Sequence, residues 1–247
     1  MHGRCFVVYE ECHPEEKYNN HAIHKSFFYW LKRLLPPSVK PIIVTDAGFR
    51  APWFSYILSL GWDFVGRLRH KNALWIDDTS SWMLSSDYYE QATAKPAYMG
   101  SGLLTEKGKV PVNIVLYKGK CKGRHQLTRD KKRSHDGMSE RHSKAAKEPW
   151  LLVSSLNESK NNPVLIINIY RQRMRIEENI RDTKCPHYGL GLKNSLTKSY
   201  QRMNILLLIA AIATFAAWLA GLFVKSIGKA ADFQAHSAKF TSALSYV

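Results

Sequence analysis

Four residues of one predicted helix could do chemistry together. Asn161-Asn162-Pro163 makes a good helix start, with Asn as cap and Pro at the first helical position. The spacing predicts a helix running from Pro163 to about Lys184, stopped by Cys185-Pro186. At roughly 100° per residue, Tyr170, Arg173, Glu177 and Lys184 share one narrow face. Leu165, Ile166, Ile169, Ile176 and Ile180 form an apolar stripe along its edge. A carboxylate so placed projects at the rim of a core, flanked by two cations and a phenol, while Glu178 turns to solvent. On spacing alone, a surface helix with an internal Glu–Lys or Arg ladder fits as well as a reactive face.

A second carboxylate stands at a strand end. Pro41–Thr45 is a short, β-branched, apolar run that reads as a buried strand, and Asp46-Ala47-Gly48 turns out of it. Asp46 is either an Asx-turn residue or an acid presented where a strand meets solvent. Trp150 opens another predicted strand, Trp150–Ser155, as a core residue or as a stacking surface.

Charge narrows the partners. The 247 residues carry 36 Lys and Arg against 20 Asp and Glu, a formal net charge of +16. That balance suits a polyanion, nucleic acid first and an anionic membrane surface second. Half of the excess lies in residues 118–147, with eleven basic residues against three acids. Cys5, Cys12, Cys121 and Cys185 have no zinc-ligand spacing and read as reduced thiols. The histidines at 125, 135 and 142 give no reason to propose a metal site in the basic segment.

The elements that must position these residues read as α/β. Phe6–Tyr9 is a predicted strand, His24–Leu35 a helix ended by Pro36-Pro37, Trp53–Leu60 a helix, and Trp62–Leu68 a strand. Residues 71–146 read as a β-rich insertion with a basic loop, Val110–Tyr117 being its clearest strand. Ile205–Val224 has no charged residue and passes for a membrane span by length. Its stripe of Ala210, Ala213, Ala217 and Ala220 also suits close packing inside a protein.

The spacing Tyr-x2-Arg-x3-Glu-x6-Lys, present as Tyr170, Arg173, Glu177 and Lys184, resembles the motif of the insertion-sequence-four family of bacterial transposases. Ile42–Phe49, Ala146–Trp150 and Tyr188–Leu192 resemble the same family. The resemblance implies an α/β fold with a ribonuclease-H-like catalytic core interrupted by a β-rich insertion. Residues 1–70 and 147–247 would form the core, the latter with the catalytic helix and a buried apolar helix, and 71–146 the insertion. It further implies cut-and-paste DNA transposition, by metal-dependent phosphodiester hydrolysis and strand transfer at transposon ends through a hairpin.

In that scheme Asp46 and Glu177 are two of three acids holding two Mg²⁺ ions, with Mn²⁺ able to substitute. Tyr170, Arg173 and Lys184 contact phosphates, and Trp150 stacks a flipped base. Double-stranded DNA is the partner, a homodimer the state of the complete protein, and the bacterial cytoplasm and nucleoid the location, with no membrane. The family's first catalytic Asp lies upstream of the segment resembling His2–Glu11. The sequence reading therefore expects a truncated chain that is inactive or incomplete alone. Its rivals are a non-catalytic DNA-binding remnant and a basic single-span membrane protein.

Overall fold

The computed structural model describes residues 5–69, 72–77, 81–120, 132–187 and 189–233. The chain divides into two compact units, one of residues 37–173 and one of residues 1–36 with 174–247.

The first unit is built on a sheet with seven strands among the described residues. They are β1 (Ile42–Thr45), β2 (Asp63–Leu68), β3 (Ala73–Ile76), β4 (Met83–Leu84), β5 (Ala97–Leu104), β6 (Val110–Tyr117) and β7 (Trp150–Ser154). Their spatial order is β1-β2-β7-β6-β5-β3-β4. Only β1 and β2 pair in parallel, joined by the helix α2 (Ala51–Ser59); every other pairing is antiparallel. The α/β class expected from the sequence is thus present, with strands of the 71–146 segment paired into the same sheet.

Strand alternation gives the sheet two faces to bury. On one, Phe64 of β2 stacks on Phe54 of α2 at 4.5 Å, and neither ring is exposed. On the other, Val65, Val115 and Leu152 pack against Ile166, Ile167 and Tyr170 of α4 (Pro163–Arg171). The Asn162 side chain caps α4 by accepting from the Leu165 N–H at 3.0 Å, and Pro163 occupies its first turn.

Part of the expected basic loop is helical: α3 spans Gly137–Lys147, capped by Asp136, which accepts from the Ser139 N–H. A Glu140–Lys144 pair at 2.7 Å supports it at helical spacing. Residues 121–131 of the basic segment, and Tyr188, lie outside the described residues.

The second unit holds α1 (His21–Leu34), α5 (Met174–Lys184) and α6 (Tyr200–Ser226). Three expectations are corrected here. Phe6–Tyr9 is not a strand: it makes no ladder, and the Phe6 ring is taken up by a helix while Val8 stays exposed. Phe6 packs edge-on against Trp218 and Phe215 of α6, while the Cys12 N–H donates to Asn204 Oδ1 at 2.7 Å.

The helix over 163–184 is not continuous. Its α-helical bonding stops at Gln172-Arg173, whose N–H groups bond back three residues, to Ile169 and Tyr170. Such bonds tighten the turn. The apolar stripe ends with α4: Ile176 and Ile180 of α5 are each 47% exposed.

Nor is the apolar helix buried. α6 runs 27 residues, and only Ala210 is buried along it. Ile205, Leu208, Ile212 and Phe223 are all about 60–65% exposed.

Candidate functional site

Sheet register collects the candidate residues of the first unit at one end. Thr45 pairs with Gly66, so Asp46 leaves β1 beside the point where β2 continues to Arg67. β7 runs the other way, with Leu152 opposite Arg67 and Leu151 opposite Leu68, so its first residue, Trp150, lies at the same end. Tyr117 pairs with Trp150 and joins it. These are the carboxyl ends of the two parallel strands, where open α/β sheets usually place ligands.

Asp46 is exposed, and its Oδ1 accepts from the Gly48 N–H at 2.9 Å. The turn therefore fixes the carboxylate while Oδ2 makes no bond among the described residues. Gly48 keeps the approach open, since a Cβ there would lie 3.1 Å from Oδ1.

Trp150 is half-buried and held edge-on by two tyrosines, Tyr170 at 4.9 Å and Tyr117 at 5.9 Å between ring centroids. Tyr170 is only 3% exposed. Its ring is core, packed with Ile166 and Val65, and it backs Trp150. The Arg173 guanidinium lies 5.6 Å from the Tyr170 centroid, a cation–π distance. Arg171 treats Tyr117 alike, at 5.5 Å, and donates to its hydroxyl at 3.0 Å.

Sequence reasoning missed the supports of this cluster. Arg67 and Arg69 stand two apart on and just after β2, hence on one side of the strand. Arg69 Nε donates to Glu148 Oε2 at 2.6 Å, and Arg67 Nη2 lies 3.9 Å from the same oxygen. Arg67 also donates to the Pro149 carbonyl at 3.2 Å, so both arginines grip the segment that delivers Trp150. Burial lowers the Arg67 pKa, while the hydrogen bond that Arg69 donates to Glu148 raises that of Arg69. The Gly-Arg-Leu-Arg alternation in the sequence was the available signal; the Glu148 partner, about 80 residues away, was not visible.

Glu177 and Lys184 belong to the second unit, on α5, and both are exposed. They are seven residues apart within one unbroken helix and so share a face, as the spacing predicted. Glu178 is exposed as well. Lys184 lines a cleft with Glu10, Asn179, Thr183 and Ala210. Past α5 the chain folds back: the Leu190 N–H donates to the Asp182 carbonyl, and a Cβ on Gly189 would lie 1.6 Å from that oxygen. Only glycine fits there, which accounts physically for one member of the Tyr188–Leu192 stretch.

Exposed carboxylates at Asp46 and Glu177 are oxygen ligands of the kind a hard divalent cation takes. Among the described residues, no group of three or more His, Cys, Asp and Glu comes together. The donor chemistry of each carboxylate suits a divalent metal.

The family model described as "Transposase DDE domain" matches residues 5–215, most of the chain. The chain therefore belongs to the DDE transposase family, and its mixed sheet is the expected ribonuclease-H-like core. Its general activity is DNA transposition, a chemistry for which domains of this class use DNA as substrate and divalent metal as cofactor. A search of curated proteins found no match.

Proposed function

We propose that this chain carries DNA-end processing of the insertion-sequence-four type, in which Asp46 and Glu177 are metal-holding acids and Trp150, Arg173 and Lys184 handle DNA. The observation that carries this reading is the convergence of Asp46, Trp150, Tyr170 and Arg173-bearing structure on one end of the sheet, inside a DDE domain. The domain's divalent ions, Mg²⁺ with Mn²⁺ as substitute, would supply Lewis acidity to the attacking and leaving oxygens of a phosphodiester. Asp46 presents a carboxylate already oriented by its turn. Arg173 and Lys184 neutralise backbone phosphates, Arg173 from a position set by the Tyr170 ring. Trp150 offers a ring edge-supported by Tyr117 and Tyr170, a rigid surface on which an extruded base stacks. The substrate is double-stranded DNA, at transposon ends and target; the working protein is a homodimer in the bacterial cytoplasm, on the nucleoid.

A net charge of +16 is equally compatible with a second reading, a DNA-binding remnant that does not cut by itself. The exposure of α6 favours a third, a single membrane span, since the helix has a mean hydropathy of 2.5 over its most apolar window. One set of measurements separates them. The 247-residue chain should bind duplex DNA in a salt-dependent manner, Arg173→Ala and Lys184→Ala each lowering the salt slope by about one. With Mg²⁺ or Mn²⁺ the end-processing reading expects nicking of that DNA, and the remnant reading expects none. Cutting that Glu177→Gln abolishes would overturn the remnant reading; recovery of the chain only in membranes, with no DNA affinity, would overturn the DNA reading.

A further inference from the structure

Helix α1 presents an exposed face away from the residues that dock it. Asn20 caps it, accepting from the N–H groups of Ala22 and Ile23. Phe28 is buried, with Phe27 against Tyr9 at 5.0 Å and Ile23, His24 and Leu31 half-buried beside it. That stripe accounts for the docking of the helix. The opposite side carries Lys25, Tyr29, Trp30, Lys32 and Arg33, all exposed. Tyr29 is 51% exposed and Trp30 47%.

The arrangement of this face is specific. Arg33 lies over both rings, 5.8 Å from the Tyr29 centroid and 5.7 Å from that of Trp30, and donates to the Tyr29 hydroxyl at 3.2 Å. The guanidinium is thus oriented by aromatic groups and, among the described residues, pairs with no carboxylate. No Asp or Glu occurs in the sequence between Glu16 and Asp46, so the positive charge has no acid on its own element. A basic last turn suits the helix dipole and explains Lys32 and Arg33 in part. It does not explain two large aromatic rings left half in water on the same face.

We infer that this face of α1 is a second contact for duplex DNA, sequence-independent and directed at the phosphate backbone. Lys25, Lys32 and Arg33 supply charge, and the Trp30 indole N–H and Tyr29 hydroxyl supply neutral donors to phosphate oxygens. Charge complementarity selects the partner, and aromatic ordering of Arg33 lowers the entropy lost on binding. The inference rests on DNA being the substrate, but not on the roles assigned to Asp46, Glu177 or Trp150.

Fluorescence anisotropy on the full chain with a labelled random-sequence duplex, across a salt series, tests it. The double variant Lys32→Gln/Arg33→Gln should weaken binding at low salt and reduce the slope of log K against log salt by about two. Trp30→Phe, which keeps the ring and removes the N–H, should weaken binding by a few-fold and leave the slope unchanged. Circular dichroism of both variants should match wild type, since every substituted residue is exposed. A wild-type chain that binds DNA with an unaltered slope in the double variant overturns this inference and leaves the DNA reading intact. A wild-type chain that binds no DNA overturns both. A Trp30→Phe variant that loses self-association by light scattering while keeping its DNA affinity would make the face an interface between copies and overturn the inference.

Discussion

Replacing Glu148 with Gln should loosen the segment that delivers Trp150, and the cost can be worked from the geometry. Glu148 Oε2 receives Arg69 Nε at 2.6 Å and faces Arg67 Nη2 at 3.9 Å. The side chains are 24%, 23% and 14% exposed for Glu148, Arg69 and Arg67. Removing one partner of a fully buried pair costs about 3–5 kcal/mol, because a charge is left without compensation. A fully exposed pair contributes about 0–1 kcal/mol. The Glu148 network lies between these limits and nearer burial, so about 2 kcal/mol is expected. For a chain of this size, that lowers Tm by about 4–8 °C. Differential scanning fluorimetry and urea unfolding at neutral pH would measure it. Glu140→Gln breaks an exposed helical pair and serves as the control, with Tm unmoved. The Glu148 effect should also survive raised salt, which screens exposed pairs far more than partly buried ones. A Glu148→Gln variant indistinguishable from Glu140→Gln would refute the claim that this carboxylate organises the approach to Trp150.

Two further outcomes follow from the second unit. Gly189→Ala should unseat the turn after α5, because its Cβ would meet the Asp182 carbonyl oxygen at 1.6 Å, backbone against backbone. Hydrogen exchange should show faster opening at the N–H groups of Leu190 and Gly191, and unchanged protection there would count against the packing described. Burial raises the Glu10 pKa above the ordinary carboxylate value. A raised folded-state value means that its protonated form is favoured on folding, a contribution present at low pH and lost as pH rises through the folded pKa. Glu10→Gln should therefore raise Tm at neutral pH and match wild type at about pH 4 and below. A Tm difference independent of pH would refute it.

The sequence made much of the α/β skeleton legible, and the reasons are local. A β-branched run marked β1, an apolar run marked β7, prolines ended α1, and the Asn-Asn-Pro start marked α4 to the residue. What escaped was decided by distant partners. Phe6–Tyr9 has strand composition, yet finds α6 and not another strand. The break at Gln172-Arg173 carries no Pro or Gly to announce it. The carboxylates and Trp150 could be picked out by type and position, and Glu177 and Lys184 do share a helix face. Periodicity places Tyr170 at the edge of a stripe, whereas the packing of α4 on β2 and β7 buries its ring. The Arg67–Arg69–Glu148 grip was invisible because its halves are joined only through strand register.

The central claim is that Asp46 and Glu177 are the acids through which this DDE domain holds its metal. Mn²⁺ titration of the protein alone, followed by the loss of the free-ion electron paramagnetic resonance signal, tests it most directly. The account predicts saturable Mn²⁺ uptake by wild type, weakened about tenfold or more by Asp46→Asn and by Glu177→Gln. Glu178→Gln should behave as wild type. Uptake equal in wild type, Asp46→Asn and Glu177→Gln, or weakened as much by Glu178→Gln, would contradict it.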